Sequence, residues 1–282
     1  MSDTLRKAAV TGHPVAHSRS PLVHGYWLKK HGIEGDYGRM DVAPDDAERF
    51  YGDFAASGLV GANVTVPHKE TAAASCDWLD DAARSMGAAN TLWIDETGKL
   101  CGANTDGLGF LGNLDQLAPG WDANRGMALV LGAGGAARAI VWALLSRNYT
   151  AVHIVNRTQE KAQKIADEFG SKTVAHSWDK LGNLLGEADL LVNTTSLGMS
   201  GKPPLEIDLS TLPGSALVTD IVYAPLETDL LKQAAAQGNR TVDGLGMLLH
   251  QAVPGFERWF GIRPEVDEDL RKLILRDLGV SA

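Results

Sequence analysis

The sequence predicts an α/β protein of two domains, and three observations carry that expectation. The first hundred residues alternate short apolar, β-branched runs with amphipathic stretches, the order that builds a mostly parallel sheet with helices on its faces. A glycine turn, Gly132-Ala133-Gly134-Gly135-Ala136-Ala137, lies between an apolar run and a helical one and starts a second series of the same kind. The length of 282 residues is that of roughly two domains at about 150 residues each.

The elements follow in chain order. Residues 7–12, KAAVTG, read as a strand. SRSPLVHGYWLKKHG reads as a helix with Ser20 as its N-cap and Pro21 at its first position, where a missing N–H costs nothing. DYGRMDV is a second strand, and DDAERFYGDFAASG a helix closed by Gly58. Asn63-Val64-Thr65-Val66 is a short strand ended by Pro67, with Asn63 and Thr65 on one face. A helical region is expected from about Glu70 to Met86. NTLWIDETGKLCGAN is expected to form a hairpin around residues 96–99.

The second α/β unit is expected to begin near Asn104. MALVLGAGGAARAIVWALL supplies strand, turn and helix, and AVHIVNRT the next strand. QEKAQKIADEFG is a helix, and ADLLVNTT and SALVTDIVY are strands. The tail from about Gly244 is helical, with a break or kink at Pro254.

Composition narrows the function classes. Hydrophobic residues make up 44% and charged residues 22%, as in ordinary globular proteins, and the net charge of −9 disfavours non-specific nucleic-acid binding. The only cysteines, Cys76 and Cys101, lack metal-site spacing, so no metal is expected and a reducing, cytoplasmic setting is. The N-terminus has no apolar leader run. The longest apolar run, Met127 to Leu145, holds three glycines and Arg138, which suits a strand-turn-helix and not a membrane span.

The glycine turn has the G-x-G-x-x-A spacing of dinucleotide-binding folds. Its glycines permit a tight turn and close approach of a pyrophosphate to the backbone and to a helix N-terminus. Where NAD-binding folds place an acid at the end of the next strand, this chain has Asn156-Arg157-Thr158, with Lys161 one turn further on. Two cations in place of the acid favour a 2′-phosphate, and so NADP; the plainer roles are a solvated Arg157 and a Thr158 that caps the next helix. HPVAHSRSP, NVTVPHK, AANT and NTDGLGF add hydroxyls, amides and charge at strand ends beyond what turns and caps need. Together they point to a small, polar, polyhydroxylated ligand.

These motifs carry a resemblance. HSRSP, NVTVPHKE, AANT, NTDGLGF, GAGGAAR, NRT, NTTSLGM, DIVYAPLET and DGLGMLLHQA, in this order, make the sequence similar to the shikimate dehydrogenase family over nearly its whole length. Gly25, where the family often has Asn, is a departure expected on a helix surface. The resemblance implies a substrate-binding α/β domain at 1–103, a Rossmann-like NADP-binding domain at 104–243, and C-terminal helices at 244–282 that return to the first domain. It implies reversible NADPH-dependent reduction of 3-dehydroshikimate to shikimate, by a monomer or homodimer with no nucleic-acid or membrane partner.

The roles it implies are these. Lys69 and Asp106 form the catalytic pair. Ser18 and Ser20, helped by Tyr223, bind the substrate carboxylate, and Asn63, Thr65, Asn90 and Gln251 its ring hydroxyls. Gly132, Ala133, Gly134, Gly135 and Ala136 cradle the pyrophosphate. Asn156, Arg157, Thr158 and Lys161 hold the adenosine phosphate, and Asp81, Ile221 and Gly244 touch the cofactor. Three other readings stay open: an NAD-dependent quinate/shikimate dehydrogenase, which calls for an Asp where Asn156 stands; a methylene-tetrahydrofolate dehydrogenase-like enzyme, which has no use for the paired serines; and a non-catalytic NADP-binding regulator, which does not need both Lys69 and Asp106.

Overall fold

The computed structural model describes residues 5–280 and contains two compact units, one formed by residues 5–105 with 251–280 and the other by 106–250. The chain thus changes unit between Thr105 and Asp106, and returns between His250 and Gln251. Residues 244–250, expected among the returning helices, group with the second unit.

The first unit runs β1 (Arg6–Gly12), α1 (Ser20–His31), β2 (Gly35–Asp41), α2 (Ala47–Gly52), β3 (Gly61–Val64), α3 (Lys69–Ala74), β4 (Trp78–Leu79), α4 (Asp81–Met86), β5 (Thr91–Ile94) and β6 (Leu100–Ala103). Its sheet has the order β2-β1-β3-β5-β6-β4. β1 pairs parallel with β2 and β3, and β4 parallel with β6, while the hairpin β5–β6 and its seam with β3 are antiparallel. The hairpin turn is held by Asp95, whose carboxylate accepts from the N–H groups of Thr97 (2.8 Å) and Lys99 (3.0 Å).

Four local expectations for this unit are corrected. α1 takes Arg19, not Ser20, as its N-cap, and no side chain caps it; Ser20 is already inside the helix, and its N–H reaches Ser18 Oγ at 3.3 Å. The helix expected over 45–58 is broken into two 3₁₀ turns around α2, ending at Gly58 with φ +72°. β3 stops at Val64: Thr65 N–H still reaches Thr11 C=O (2.9 Å), but a turn from Thr65 to His68 then takes over. The region 70–86 is two helices split by β4, because pairing beside Cys101 and Gly102 offers Trp78 and Leu79 ladder partners that a helix would forgo.

The second unit runs α5 (Asp106–Leu117), β7 (Met127–Leu131), α6 (Gly135–Ser146), β8 (Ala151–Asn156), α7 (Gln159–Phe169), β9 (Thr173–Ser177), α8 (Leu181–Leu185), β10 (Leu190–Asn193), β11 (Leu217–Asp220), α9 (Asp229–Ala236), β12 (Arg240–Val242) and α10 (Leu245–His250). Its sheet is wholly parallel, in the order β12-β11-β10-β7-β8-β9. β7 is apolar at every position because both of its faces are covered. Ala128 and Val130 face a cluster with Ile140, Leu144 and Phe110, and Met127, Leu129 and Leu131 a second one with Leu185, Leu209 and Leu230. Asp106 is the first residue of α5.

The chain then returns to the first unit as α11 (Val253–Phe260) and α12 (Glu268–Asp277). Pro254 lies in the first turn of α11, so the break expected there separates α10 from α11. Trp259 of α11 donates to Leu92 C=O (2.9 Å) and passes so close to Gly61 that a Cβ there would meet its indole nitrogen at 1.9 Å. Gly25 is on the outer face of α1 with nothing within 4 Å of a Cβ, as its surface reading required. Among the described residues no helix is long and apolar enough to cross a membrane.

Candidate functional site

In the first unit the polar residues gather at the carboxyl ends of β1 and β3 and at the start of β5. Ser18 Oγ donates to Ser20 Oγ at 3.3 Å, and Ser20, at the start of α1, is 8% exposed. Asn90 directly precedes β5. Its Oδ1 accepts from Thr91 Oγ1 (3.0 Å) and Thr105 N–H (2.9 Å). Gln251 is tied to this segment through its backbone, whose C=O accepts from Thr105 Oγ1 at 2.7 Å. Half-buried Thr65 follows β3, and half-buried Lys69 opens α3 four residues later.

Asn63, expected to hold a ring hydroxyl, has no hydrogen-bonding capacity left for one. Its Oδ1 accepts from Tyr37 Oη (2.6 Å) and His24 Nε2 (3.1 Å), and its Nδ2 donates to Asn90 C=O (3.3 Å) and Thr91 Oγ1 (3.4 Å). Two acceptor sites and two donors are all that an amide offers. His24 is fully buried, and burial pushes its imidazole down to about 3 against the opposing effect of its hydrogen bond to Asn63. It therefore stays neutral and stacks on Tyr37 at 3.9 Å. Burial raises the Tyr37 hydroxyl well above its ordinary value.

In the second unit the glycine turn follows β7. Gly132 has φ +107°, donates its N–H to Val155 C=O (2.8 Å), and would bring a Cβ within 2.7 Å of Thr194 Oγ1. A side chain is excluded there by both conformation and space. Gly134, the N-cap of α6, and Gly135 are exposed with nothing near a Cβ, and Ala133 and Ala136 beside them are half-buried. The open space lies in front of the first-turn N–H groups of a twelve-residue helix, which have no acceptor within it. The sheet order reverses direction between β7 and β10, the switch point where α/β sheets bind their ligands.

Next to it, a pocket of about 590 Å³ is lined by Asn156, Arg157, Trp178, Thr195, Ser196, Leu197, Pro203, Pro204 and Glu206. Asn156 Nδ2 donates to Thr158 C=O at 2.7 Å, which shapes the chain leaving β8. Thr158 occupies the N-cap position of α7, without a capping bond from its side chain, and Arg157 and Lys161 are exposed. The pocket and the open glycine turn together fit a phosphorylated dinucleotide.

Ile221, Tyr223 and Gly244 follow β11 and β12. A Cβ on Gly244 would come within 2.3 Å of Ile221 C=O, so only glycine lets these two segments meet. Asp81 opens α4 with its side chain 95% exposed, 3.7 Å from Arg84. Its neighbour Asp80 caps that helix, accepting from Ala83 N–H at 2.6 Å. Lys69 belongs to the first unit and Asp106 to the second. Among the described residues, no group of three or more His, Cys, Asp or Glu could hold a metal ion.

Some organising residues escaped the sequence reading. Asp220 is fully buried and accepts from Asn193 Nδ2 (3.0 Å), Val222 N–H (3.0 Å) and Thr228 Oγ1 (2.8 Å), fixing the Ile221–Tyr223 segment. Burial raises its carboxyl and those three bonds offset part of the rise. The motif NTTSLGM signalled Asn193, Thr195 and Ser196 without assigning them a role. Trp178 carried no signal.

Three family models match the chain: shikimate dehydrogenase substrate binding domain at residues 10–92, shikimate / quinate 5-dehydrogenase at 116–199, and shikimate 5′-dehydrogenase C-terminal domain at 244–274. A relative from Azorhizobium caulinodans, named shikimate dehydrogenase (NADP(+)), is 59% identical over 274 residues, 97% of either chain. Two solved structures are similar over most of their length. Quinate dehydrogenase from Corynebacterium glutamicum in complex with NAD has TM-score 0.89 at 30% identity, covering 96% of this chain and 99% of that one. Shikimate 5-dehydrogenase from Thermus thermophilus in complex with NADP(H) and shikimate has TM-score 0.83 at 35% identity, covering 97% and 100%.

Proposed function

The chain belongs to the shikimate dehydrogenase family, and we propose that it catalyses the reversible NADPH-dependent reduction of 3-dehydroshikimate to shikimate. The observation that carries the cofactor choice is the end of β8, where Asn156 and Arg157 line a pocket and the strand end itself carries no acid for a ribose 2′-hydroxyl. A guanidinium matches a phosphate in charge and in its bidentate geometry. Arg157, Lys161, Asn156 and Thr158 hold the adenosine phosphate, and residues 132–136 the pyrophosphate. Ile221 and Gly244 flank the rest of the cofactor. Asp81 has the weakest claim on it, since its carboxylate is solvated and faces Arg84.

Bound NADPH supplies a hydride to the 3-keto carbon of the substrate. The oxygen left with negative charge takes a proton from Lys69, and in the opposite direction Lys69 accepts it. Asp106 accepts a hydrogen bond from the same hydroxyl. Ser18, Ser20 and Tyr223 bind the carboxylate, and Thr65, Asn90 and Gln251 the ring hydroxyls. The protein works in the cytoplasm, as a monomer or homodimer, and its cysteines Cys76 and Cys101 are both free.

The test is nicotinamide absorbance with shikimate or quinate and either oxidised cofactor. Shikimate with NADP should give the highest kcat/KM, and Arg157→Ala should lower it about ten- to a hundredfold with NADP while sparing NAD. Higher kcat/KM with quinate and NAD would overturn the assignment.

A further inference from the structure

The hydrogen-bond inventory of Asn63 makes it an interior hub whose influence runs in one direction. Tyr37 Oη and His24 Nε2 meet its Oδ1 at 2.6 and 3.1 Å, and Asn90 C=O and Thr91 Oγ1 meet its Nδ2 at 3.3 and 3.4 Å. The amide cannot be turned over, because that would set its oxygen against the Asn90 carbonyl oxygen, which has no proton to give. His24 is locked in turn, stacked on Tyr37 and edge-on to Trp27 at 5.6 Å. On the other side, Thr91 Oγ1 takes the Asn63 donor and gives its own proton to Asn90 Oδ1 at 3.0 Å. The order imposed by the aromatic cluster of α1, β2 and α11 thus reaches the Asn90 amide through Asn63 and Thr91.

We propose that Asn63 is a positioning residue, held by His24 and Tyr37, that acts on substrate through Thr91 and Asn90 and not by touching a ring hydroxyl itself. The proposal rests on the functional reading above in taking Asn90 as a ligand of the ring hydroxyls. It explains why a strand otherwise built from Gly, Ala and Val carries an amide at a position only 5% exposed.

The experiment is a double-mutant cycle of Asn63→Ala and Asn90→Ala, read as KM for shikimate, with KM for NADP as the internal control. Each single variant should raise KM for shikimate about five- to tenfold, the loss of roughly one buried hydrogen bond, and leave KM for NADP in place. The double variant should be no worse than Asn90→Ala alone, since removing the end of a relay makes its middle irrelevant. Independent, multiplying penalties would mean that Asn63 contacts substrate directly and would overturn the proposal. If Asn63→Ala does not fold, Tyr37→Phe replaces it, because it deletes one hydroxyl at nearly constant shape, and the same non-additivity with Asn90→Ala is required. The cycle is also read in urea unfolding, where Asn63 and Asn90 must couple without any substrate. Failure of the functional reading, seen as no shikimate turnover by the unmutated protein, is therefore distinct from failure of this one, seen as additivity in the unfolding cycle.

Discussion

Lys69 occupies a position that helix energetics do not explain. It is the first residue of α3, the end where aligned peptide dipoles disfavour a cation, and it is half-buried when a surface lysine would extend into water. The proton-transfer role proposed for it would account for both. Lys69→Ala should therefore cut kcat by about 10²–10⁴ while shikimate still binds, the usual contribution of a positioned acid–base group. Asp106→Ala should show a similar loss, and the double variant little more than either, because two groups acting in one step do not lose independently. Steady-state kinetics with a binding titration checks this, and near-full kcat in Lys69→Ala would reduce it to a surface lysine after a proline. The type and spacing of these residues were legible in the sequence. The satisfied state of Asn63 was not, because His24, Tyr37 and Thr91 reach it from three different elements.

Among the elements, the glycine turn separates two uses of one residue type. Gly132 is required by the fold, with φ +107° and Thr194 Oγ1 2.7 Å from any Cβ. Gly134 has φ −98° and open space, so the fold does not require it, and under the proposed function its smallness serves an approaching ligand. Gly134→Ala should leave thermal stability unchanged or raise it by up to about 1 kcal/mol, while KM for NADP increases. Gly132→Ala should lower the melting temperature as well. A Gly134→Ala protein with unaltered KM for NADP would remove the pyrophosphate from this turn. Strand-turn-helix order was readable here because hydrophobic period and glycine spacing are local signals. The split of residues 70–86 was not, since β4 exists only through its pairing with distant β6.

At the scale of the whole molecule, each unit has its own core, and the first encloses a neutral histidine. His24 is held down at about 3 in the folded state, against about 6.5 in the unfolded chain. The unfolded state therefore binds the proton first, and stability falls as pH drops below about 6.5, by up to roughly 1.4 kcal/mol per unit from this residue. Burial lowers His153 and His176 as well, and they act in the same sense. The raised carboxyls of Asp80 and Asp220 act oppositely, at lower pH. The urea midpoint should be lower at pH 5 than at pH 7.5, and His24→Gln should flatten that dependence; equal midpoints in the unmutated protein would contradict it. The sequence by itself determined the α/β class, the glycine turn, the absence of an acid after β8 and the polar strand ends, because each is written in residues close together along the chain. Tertiary structure decided the rest: that the chain changes unit after Thr105 and returns after His250, that β4 interrupts a helix, and that Asn63 faces inward. Those outcomes depend on which distant surfaces compete to be buried and which distant polar groups must find partners once water is gone, and no local pattern records that competition.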